Sequence, residues 1–338
     1  MIPKILNKIR GNRLGYGIGR KILSTPFIVN NPIYNALYDK KIRNSINKLD
    51  QEYPWGVDIG ITNLCNAECI MCPHSKLKKM GTMNMKLYKK IIDNCEKLGI
   101  KIVTLSFFGE PLLDKNLIEK IEYAKNKSMF VAFYSNASLL NKEWVKKLID
   151  SGLDGITISF DGYSKATYEK IRKKLNFDVV KSNILNLIET KKKIQKNNPK
   201  ISLVLVELEE NKKEIKKFYE EWKNKVDNIN IINMRNWANN IKKKGTKESF
   251  HFKNNLKRRP CALIWQKMVV DWNGDVVLCC DDWNHTTVLG NLKKQSIESI
   301  WKGEKMEKIR EAHRKGEFWK VHLCSGCNKK SIWWMVNP

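Results

Sequence analysis

The chain has 338 residues, 42% of them hydrophobic and 9% aromatic, enough to close a packed core and too apolar for a wholly disordered polymer. No apolar run approaches the ~18 residues that span a bilayer, and the start of the chain lacks the apolar core of a secretion signal, so a cytoplasmic protein is expected. Lys and Arg number 63 against 35 Asp and Glu, a formal charge of +28. Such an excess suits nucleic acid, a membrane surface or phosphorylated ligands, yet Lys, Asn and Ile run through every segment, which reads as compositional drift rather than a binding patch.

Residues 1–54 form a basic extension, with ten Lys/Arg against two Asp up to residue 50 and breakers at Gly11, Gly15, Gly17, Pro26 and Pro32. From Trp55 the pattern changes. Short apolar runs at 57–62, 102–107, 130–135, 155–160, 201–206 and 229–232 alternate with helical stretches at 84–98, 114–127, 141–151, 165–196 and 212–225. Strands alternating with helices imply parallel pairing through right-handed crossovers. Six such units predict an α/β fold, a partial (β/α)6 TIM-like barrel over 55–235 with its active site at the C-terminal strand ends. No Gly-rich phosphate fingerprint follows the first run, which speaks against an open dinucleotide-binding sheet. Residues 236–260 read as a polar, basic linker, with eight Lys/Arg against one Glu from 241 onward. A small Cys- and Trp-rich domain over 261–338 follows. There, 268–271 and 276–279 flank the hairpin signal Asn273-Gly274, and a helix is expected near 297–313.

Nine cysteines are many for a reducing compartment, where clustered thiols point to metal or catalysis rather than disulfides. Cys65, Cys69 and Cys72 lie directly after the first strand. Four thiolates saturate a [4Fe–4S] cluster, so three leave one iron open to another ligand. Zinc is the plainer alternative and needs a closed set of four, for which His74 is the adjacent candidate. In the tail, Cys261, Cys279, Cys324 and Cys327 form two spaced pairs that fit zinc or a fully ligated [4Fe–4S] cluster equally well. Cys280 competes with Cys279, and the Gly-x4-Cys spacing from Gly274 favours Cys279. Cys95 and Cys280 are expected as buried thiols. The five histidines show no metal-binding spacing.

The CxxxCxxC loop resembles the signature of the radical S-adenosylmethionine (SAM) superfamily, and three later strand ends agree with it. Phe107-Phe108-Gly109-Glu110-Pro111 is similar to the family's Gly-Gly-Glu segment, which holds the SAM amino group, with Phe108 in place of the first glycine. Tyr134-Ser135-Asn136-Ala137 resembles the ribose-contacting Thr-Asn-Gly turn. Ser159-Phe160-Asp161-Gly162 followed by Arg172 looks like the pattern of members with auxiliary clusters, in which the Ser and the Arg approach SAM. Met71 stands where the family usually has an aromatic residue against the adenine. The tail resembles the SPASM/twitch auxiliary-cluster extension, in its shorter twitch form, and the whole layout is most similar to that of the 2-deoxy-scyllo-inosamine dehydrogenases.

The resemblance implies SAM and two [4Fe–4S] clusters as cofactors: Cys65, Cys69 and Cys72 for the SAM-binding cluster, and Cys261, Cys279, Cys324 and Cys327 for the auxiliary one. It further implies SAM contacts from Met71, Gly109, Glu110, Ser135, Asn136, Ser159 and Arg172. An electron from the first cluster would cleave SAM to a 5′-deoxyadenosyl radical that takes hydrogen from the substrate. The expected reaction is oxidation of a small polar metabolite, a sugar or cyclitol alcohol, with the auxiliary cluster accepting an electron and a flavodoxin or ferredoxin supplying the reductant. Arg235, at the last strand end, is the candidate polar contact to substrate, with a salt-bridged arginine as the plainer alternative. The rivals are a radical SAM peptide maturase, an RNA-modifying enzyme of the same chemistry, and, outside this class, a non-enzymatic zinc protein.

Overall fold

The computed structural model describes residues 31–50, 52–238 and 258–327. Most of the basic extension, most of the 236–260 linker and the chain beyond Cys327 lie outside the described residues. The first elements are α1 (Pro32–Leu49), β1 (Gly56–Ile59), β2 (Glu68–Cys69), α2 (Met85–Lys97), β3 (Ile102–Thr104), α3 (Leu117–Asn126), β4 (Phe130–Ser135) and α4 (Lys142–Asp150). Then come β5 (Gly155–Ser159), α5 (Lys165–Ile171), β6 (Arg172–Lys173), α6 (Phe177–Lys193), β7 (Lys200–Glu207), α7 (Ile215–Trp222) and β8 (Asn228–Asn233). The tail supplies α8 (Leu263–Gln266), β9 (Lys267–Val270), β10 (Asp275–Val277), β11 (Val288–Asn291), α9 (Ile297–Trp301), α10 (Glu304–Lys315) and α11 (His322–Ser325).

Helix starts are set by side chains that accept the first free backbone N–H groups. Asn84, Asn141, Ser164 and Asn176 each cap the N–H three residues on, the position at which a short polar side chain satisfies an otherwise orphaned donor. Ser296 and Ser299 form a reciprocal capping box at α9. The strands alternate: Val57 and Ile59, Val131 and Phe133, Ile156 and Ile158, Leu203 and Leu205 are buried, while the residues between them are less so or smaller. This is the inward/outward period of a barrel wall.

Six parallel strands run in the order β1-β3-β4-β5-β7-β8, the partial barrel expected. The sheet does not stop there. β9 pairs in parallel with β1 on its other edge, Gly56 opposite Lys267 through Ile59 opposite Val270, and β10 and β11 continue antiparallel to make nine strands. Among the described residues two compact units are distinguished: 53–238 with 263–327 form the larger, and 31–52 with 258–262 belong to the smaller. In that smaller unit Arg259 lies against α1, donating to Asp39 (2.7 Å) and Asn35 (2.6 Å) over the ring of Tyr38.

Two expected helices are each two. The stretch 165–196 breaks into α5 and α6 because Arg172 and Lys173 leave the helix to pair with Cys69 and Glu68, and Asn176 restarts it. The stretch 297–313 breaks at Gly303, where a side chain would sit 2.6 Å from the Ser299 carbonyl. Beneath the fourth barrel strand Phe160 packs against Tyr168, Phe177, Phe218 and Trp222, an aromatic core that fixes the Ser159–Gly162 turn above it.

Candidate active site

The four segments singled out in the sequence meet at the C-terminal ends of neighbouring strands. The Cys65–Cys72 loop leaves β1 and is tied to three of its neighbours. At the β3 end, Gly109 has φ +117°, and a Cβ there would stand 2.4 Å from the Thr62 carbonyl oxygen and 2.8 Å from Asn63 Cα. Only glycine lets these backbones approach so closely. The contact is completed by Glu110 N–H donating to the Leu64 carbonyl at 2.7 Å.

Glu110 itself is buried, and its oxygens are committed inward. Oε1 accepts from Ser135 Oγ (2.8 Å) and Leu112 N–H (3.1 Å), and Oε2 from Asn136 N–H (2.7 Å). Burial pushes this carboxyl up, and the three donors pull it back. Glu110 thereby clamps the β4 end, where Ser135 and Asn136 are buried and Ala137 takes a left-handed conformation, φ +57°. Asn136 reaches the cysteine loop directly, donating from Nδ2 to Asn66 Oδ1 at 2.9 Å, while Asn66 donates to Ser138 Oγ at 2.8 Å.

At the β5 end the partly buried Ser159 leads into Asp161, which is fully buried and paired with Arg172. Arg172 Nε and Nη2 both donate to Asp161 Oδ2 at 2.6 Å, and Asp161 Oδ1 accepts Val206 N–H at 2.6 Å. The remaining guanidinium nitrogen, Nη1, points at Cys69 Sγ, 3.6 Å away. Although burial opposes the charge, Asp161 and the Cys69 sulfur hold this guanidinium firmly protonated. The β2–β6 pairing of Cys69 with Arg172 brings the two together.

Burial pushes the Cys65 thiol up to about 11 and Cys72 to about 12, with the neighbouring cysteines adding to both shifts. Among the described residues no three His, Cys, Asp or Glu side chains close on a point that one metal ion could occupy. Met71 is buried in a small cluster with Ile171, Leu208 and Met234, and its carbonyl accepts the indole N–H of Trp237 at 2.9 Å. Trp237 also packs its ring 5.4 Å from Phe108, so a residue assigned by sequence to the linker covers the cysteine loop. The signal available for it was the residue type: a tryptophan one position beyond Asn236 is costly to leave in a solvated linker.

Arg235, just beyond β8, does not stand free. Its Nη1 donates to Asp281 at 2.9 Å and lies 3.4 Å from Cys280 Sγ, and Asn236 donates to the Gly326 carbonyl at 2.7 Å. The last barrel strand is thus tied to both cysteine turns of the tail, 279–282 and 324–327. Cys324 is buried, and its Sγ is 3.4 Å from Nε2 of the fully buried His313, a neighbour that no spacing announced. Cys279, Cys280 and Cys327 are partly exposed, as is Cys261 in the smaller unit. Cys95 is fully buried, its thiol pushed up to about 12 by burial.

The radical SAM superfamily model matches residues 59–222, and the SPASM model, an iron–sulfur cluster-binding domain, matches 261–328. The chain thus carries a radical SAM domain followed by a SPASM-type iron–sulfur region. It is an enzyme whose cofactors are SAM and [4Fe–4S] clusters, one binding SAM and one auxiliary. It is similar, at 24% identity over 295 residues covering 82% of this chain and 93% of the relative, to the SAM-dependent 2-deoxy-scyllo-inosamine dehydrogenase of Niallia circulans. An uncharacterized protein of Methanocaldococcus jannaschii is 39% identical over 127 residues; that match covers 37% of this chain, which spans only 41% of the relative's length. Among solved structures, BtrN in complex with AdoMet and 2-DOIA superposes with a TM-score of 0.56 at 20% identity, covering 83% of this chain and 96% of its own. SuiB of Streptococcus suis, bound to precursor peptide SuiA, gives 0.64 at 14% identity, covering 90% and 78%. Among the described residues no helix is long and apolar enough to cross a membrane.

Proposed function

We propose that this enzyme is a cytoplasmic radical SAM oxidoreductase that oxidises a small polar metabolite, a sugar or cyclitol alcohol, taking reducing electrons from a flavodoxin or ferredoxin. In this reading Cys65, Cys69 and Cys72 hold the SAM-binding cluster with one iron left open, while Cys261, Cys279, Cys324 and Cys327 hold the auxiliary cluster. The one observation that carries it is the tether from the end of β8 to both tail cysteine turns, through Arg235 to Asp281 and Asn236 to Gly326. It brings tail cysteines to the strand-end face that also carries the Cys65–Cys72 loop, as electron transfer from a barrel-bound substrate to a second cluster requires.

The donor set of the Cys65–Cys72 loop fits such a group. Thiols whose pKa values are raised by burial and by one another release their protons only to a bound cationic centre. Three thiols near enough to couple, yet not closed on one point, suit a polynuclear cluster better than a single ion. When bound, the cluster and SAM supply a one-electron cleavage that yields a hydrogen-abstracting radical. The chain's own residues fix and shield that site. Arg172, locked by Asp161, sets a permanent positive charge beside Cys69. Glu110 holds Ser135 and Asn136 in place for the ribose of SAM, and the Gly109–Glu110 segment, with its backbone carbonyls beside the loop, takes the amino group. Met71, Phe108 and Trp237 close an apolar cover that keeps water from a reactive intermediate. Ser159, on the neighbouring strand end, completes the ring of contacts. The dehydrogenase similarity over most of both chains supports an alcohol substrate.

Anaerobically reconstituted protein should bind about eight irons and release 5′-deoxyadenosine with SAM and reductant, and a metabolite pool incubated with it should show one alcohol converted to its carbonyl. A Cys65→Ala variant should lose SAM cleavage, whereas Cys324→Ala should retain part of it and form no oxidised product. Full activity in both variants would reject the roles assigned.

A further inference from the structure

His313 is absorbed by nothing in the reaction described so far. It projects from α10, is fully buried, and is held between Phe318, with ring centroids 5.0 Å apart, and Trp265, at 6.4 Å, both edge-on. Its Nε2 lies 3.4 Å from Cys324 Sγ. In the free thiol either atom could carry the shared proton. A cysteine that ligates iron has lost its proton, so in the assembled protein Nε2–H must be the donor and the sulfur the acceptor.

We propose that His313 is a positioning residue for the auxiliary cluster: its N–H···S bond to Cys324 stabilises the more negative, reduced form and so raises that cluster's reduction potential. This rests on the reading of Cys324 as an auxiliary-cluster ligand. The physical basis is that hydrogen bonds to ligand sulfurs are among the levers that set cluster potentials, because they favour whichever state carries more negative charge on sulfur. Burial strengthens the lever, since His313 is closed to water and the effective dielectric around the bond is low. The aromatic clamp keeps the imidazole from turning away. A cluster that accepts the substrate's second electron has to be reducible by a substrate-centred radical, and a fixed donor of this kind favours the direction from substrate to cluster.

The test uses the full chain with Cys65, Cys69 and Cys72 all replaced by Ala, so that the auxiliary cluster alone is seen. EPR-monitored redox titration is run on this background and on the same background with His313→Phe, which retains an aromatic ring between Trp265 and Phe318 without a donor. The Phe variant should hold the same iron per chain and titrate at a lower midpoint. The expected change is on the order of tenfold in the reduction equilibrium, or 59 mV for one electron. His313→Gln, which keeps an N–H, should recover part of the shift. Pulsed EPR of the His313-containing background with 15N-histidine should show one histidine nitrogen coupled to the reduced cluster, a readout that does not depend on either His313 variant folding. An unchanged midpoint in His313→Phe with iron retained, or no histidine coupling in the 15N spectrum, overturns the proposal. Failure of any cluster to assemble in the parent background instead overturns the assignment of Cys324 on which it rests.

Discussion

Replacing Asp161 by Asn tests the electrostatic frame of the site. Asp161 and Arg172 are 0% and 8% exposed, and one carboxylate oxygen takes two guanidinium N–H groups at 2.6 Å. In the amide, Oδ1 can still receive Val206 N–H, but the NH2 group would face the two guanidinium donors and the negative charge is gone. Arg172 cannot shed its proton, so a buried cation loses the carboxylate bonded to it and keeps Cys69 Sγ as a side-chain partner. Breaking a buried pair from one side costs about 3–5 kcal/mol, against a total stability of roughly 5–15 kcal/mol for a folded domain. Anaerobic urea denaturation of the apo-protein, followed by tryptophan fluorescence, should show this loss for Asp161→Asn. Arg172→Met removes the other partner. Combined with Asp161→Asn it should cost less than the sum of the singles by about 0.5–3 kcal/mol, the range for groups in direct contact. A loss below about 1 kcal/mol for Asp161→Asn, or additivity in the double variant, would refute the account of Arg172 as a charge locked by its carboxylate.

Further outcomes follow from neighbouring features. Trp237→Phe keeps the ring against Phe108 but loses the N–H to the Met71 carbonyl, and should cost about 1 kcal/mol in denaturation and weaken SAM binding measured by calorimetry on reconstituted protein. His285 is bracketed by Asp271 at 2.9 Å and Asp275 at 3.2 Å, whose hydrogen bonds and charges hold it above the usual histidine range. The stability it confers is therefore complete below about pH 6.5 and lost as pH rises through the raised folded-state value, so His285→Gln should lower Tm at pH 6 and change it little at pH 9. Cys95→Ala should leave the iron content per chain unchanged and cost roughly 1 kcal/mol, since Cys95 lies fully buried on α2.

The barrel was legible because its signals are local. Short apolar runs alternating with helical stretches announce themselves within a dozen residues, and the strand-end motifs stood at the positions where the fold converges. What escaped depended on partners far along the chain. The break at Arg172 comes from pairing with Glu68 and Cys69, which no window around 165–196 contains. Val269 and Val270 read correctly as one arm of a hairpin, yet their other edge is taken by β1, and parallel pairing leaves no turn to mark it. Trp237 fell in a segment whose charge suggested a linker. His313 could not be placed because its meaning lies in a contact with Cys324 across a helix end, not in a spacing. Arg235 was correctly located at a strand end, while its ion pair with Asp281 needed the tail to be in place.

The pairing of β9 with β1 has a consequence for how the molecule is made. Once β1 has left the ribosome it finds one neighbour early, in β3, but its other edge stays open until Lys267–Val270 has been synthesised. Parallel contacts between such distant segments are slow to form, and an unpaired strand edge invites association with other chains. Nascent or prematurely terminated chains should therefore be the form most in need of chaperones, and expression of a fragment ending at residue 235 should yield inclusion bodies rather than an isolated barrel.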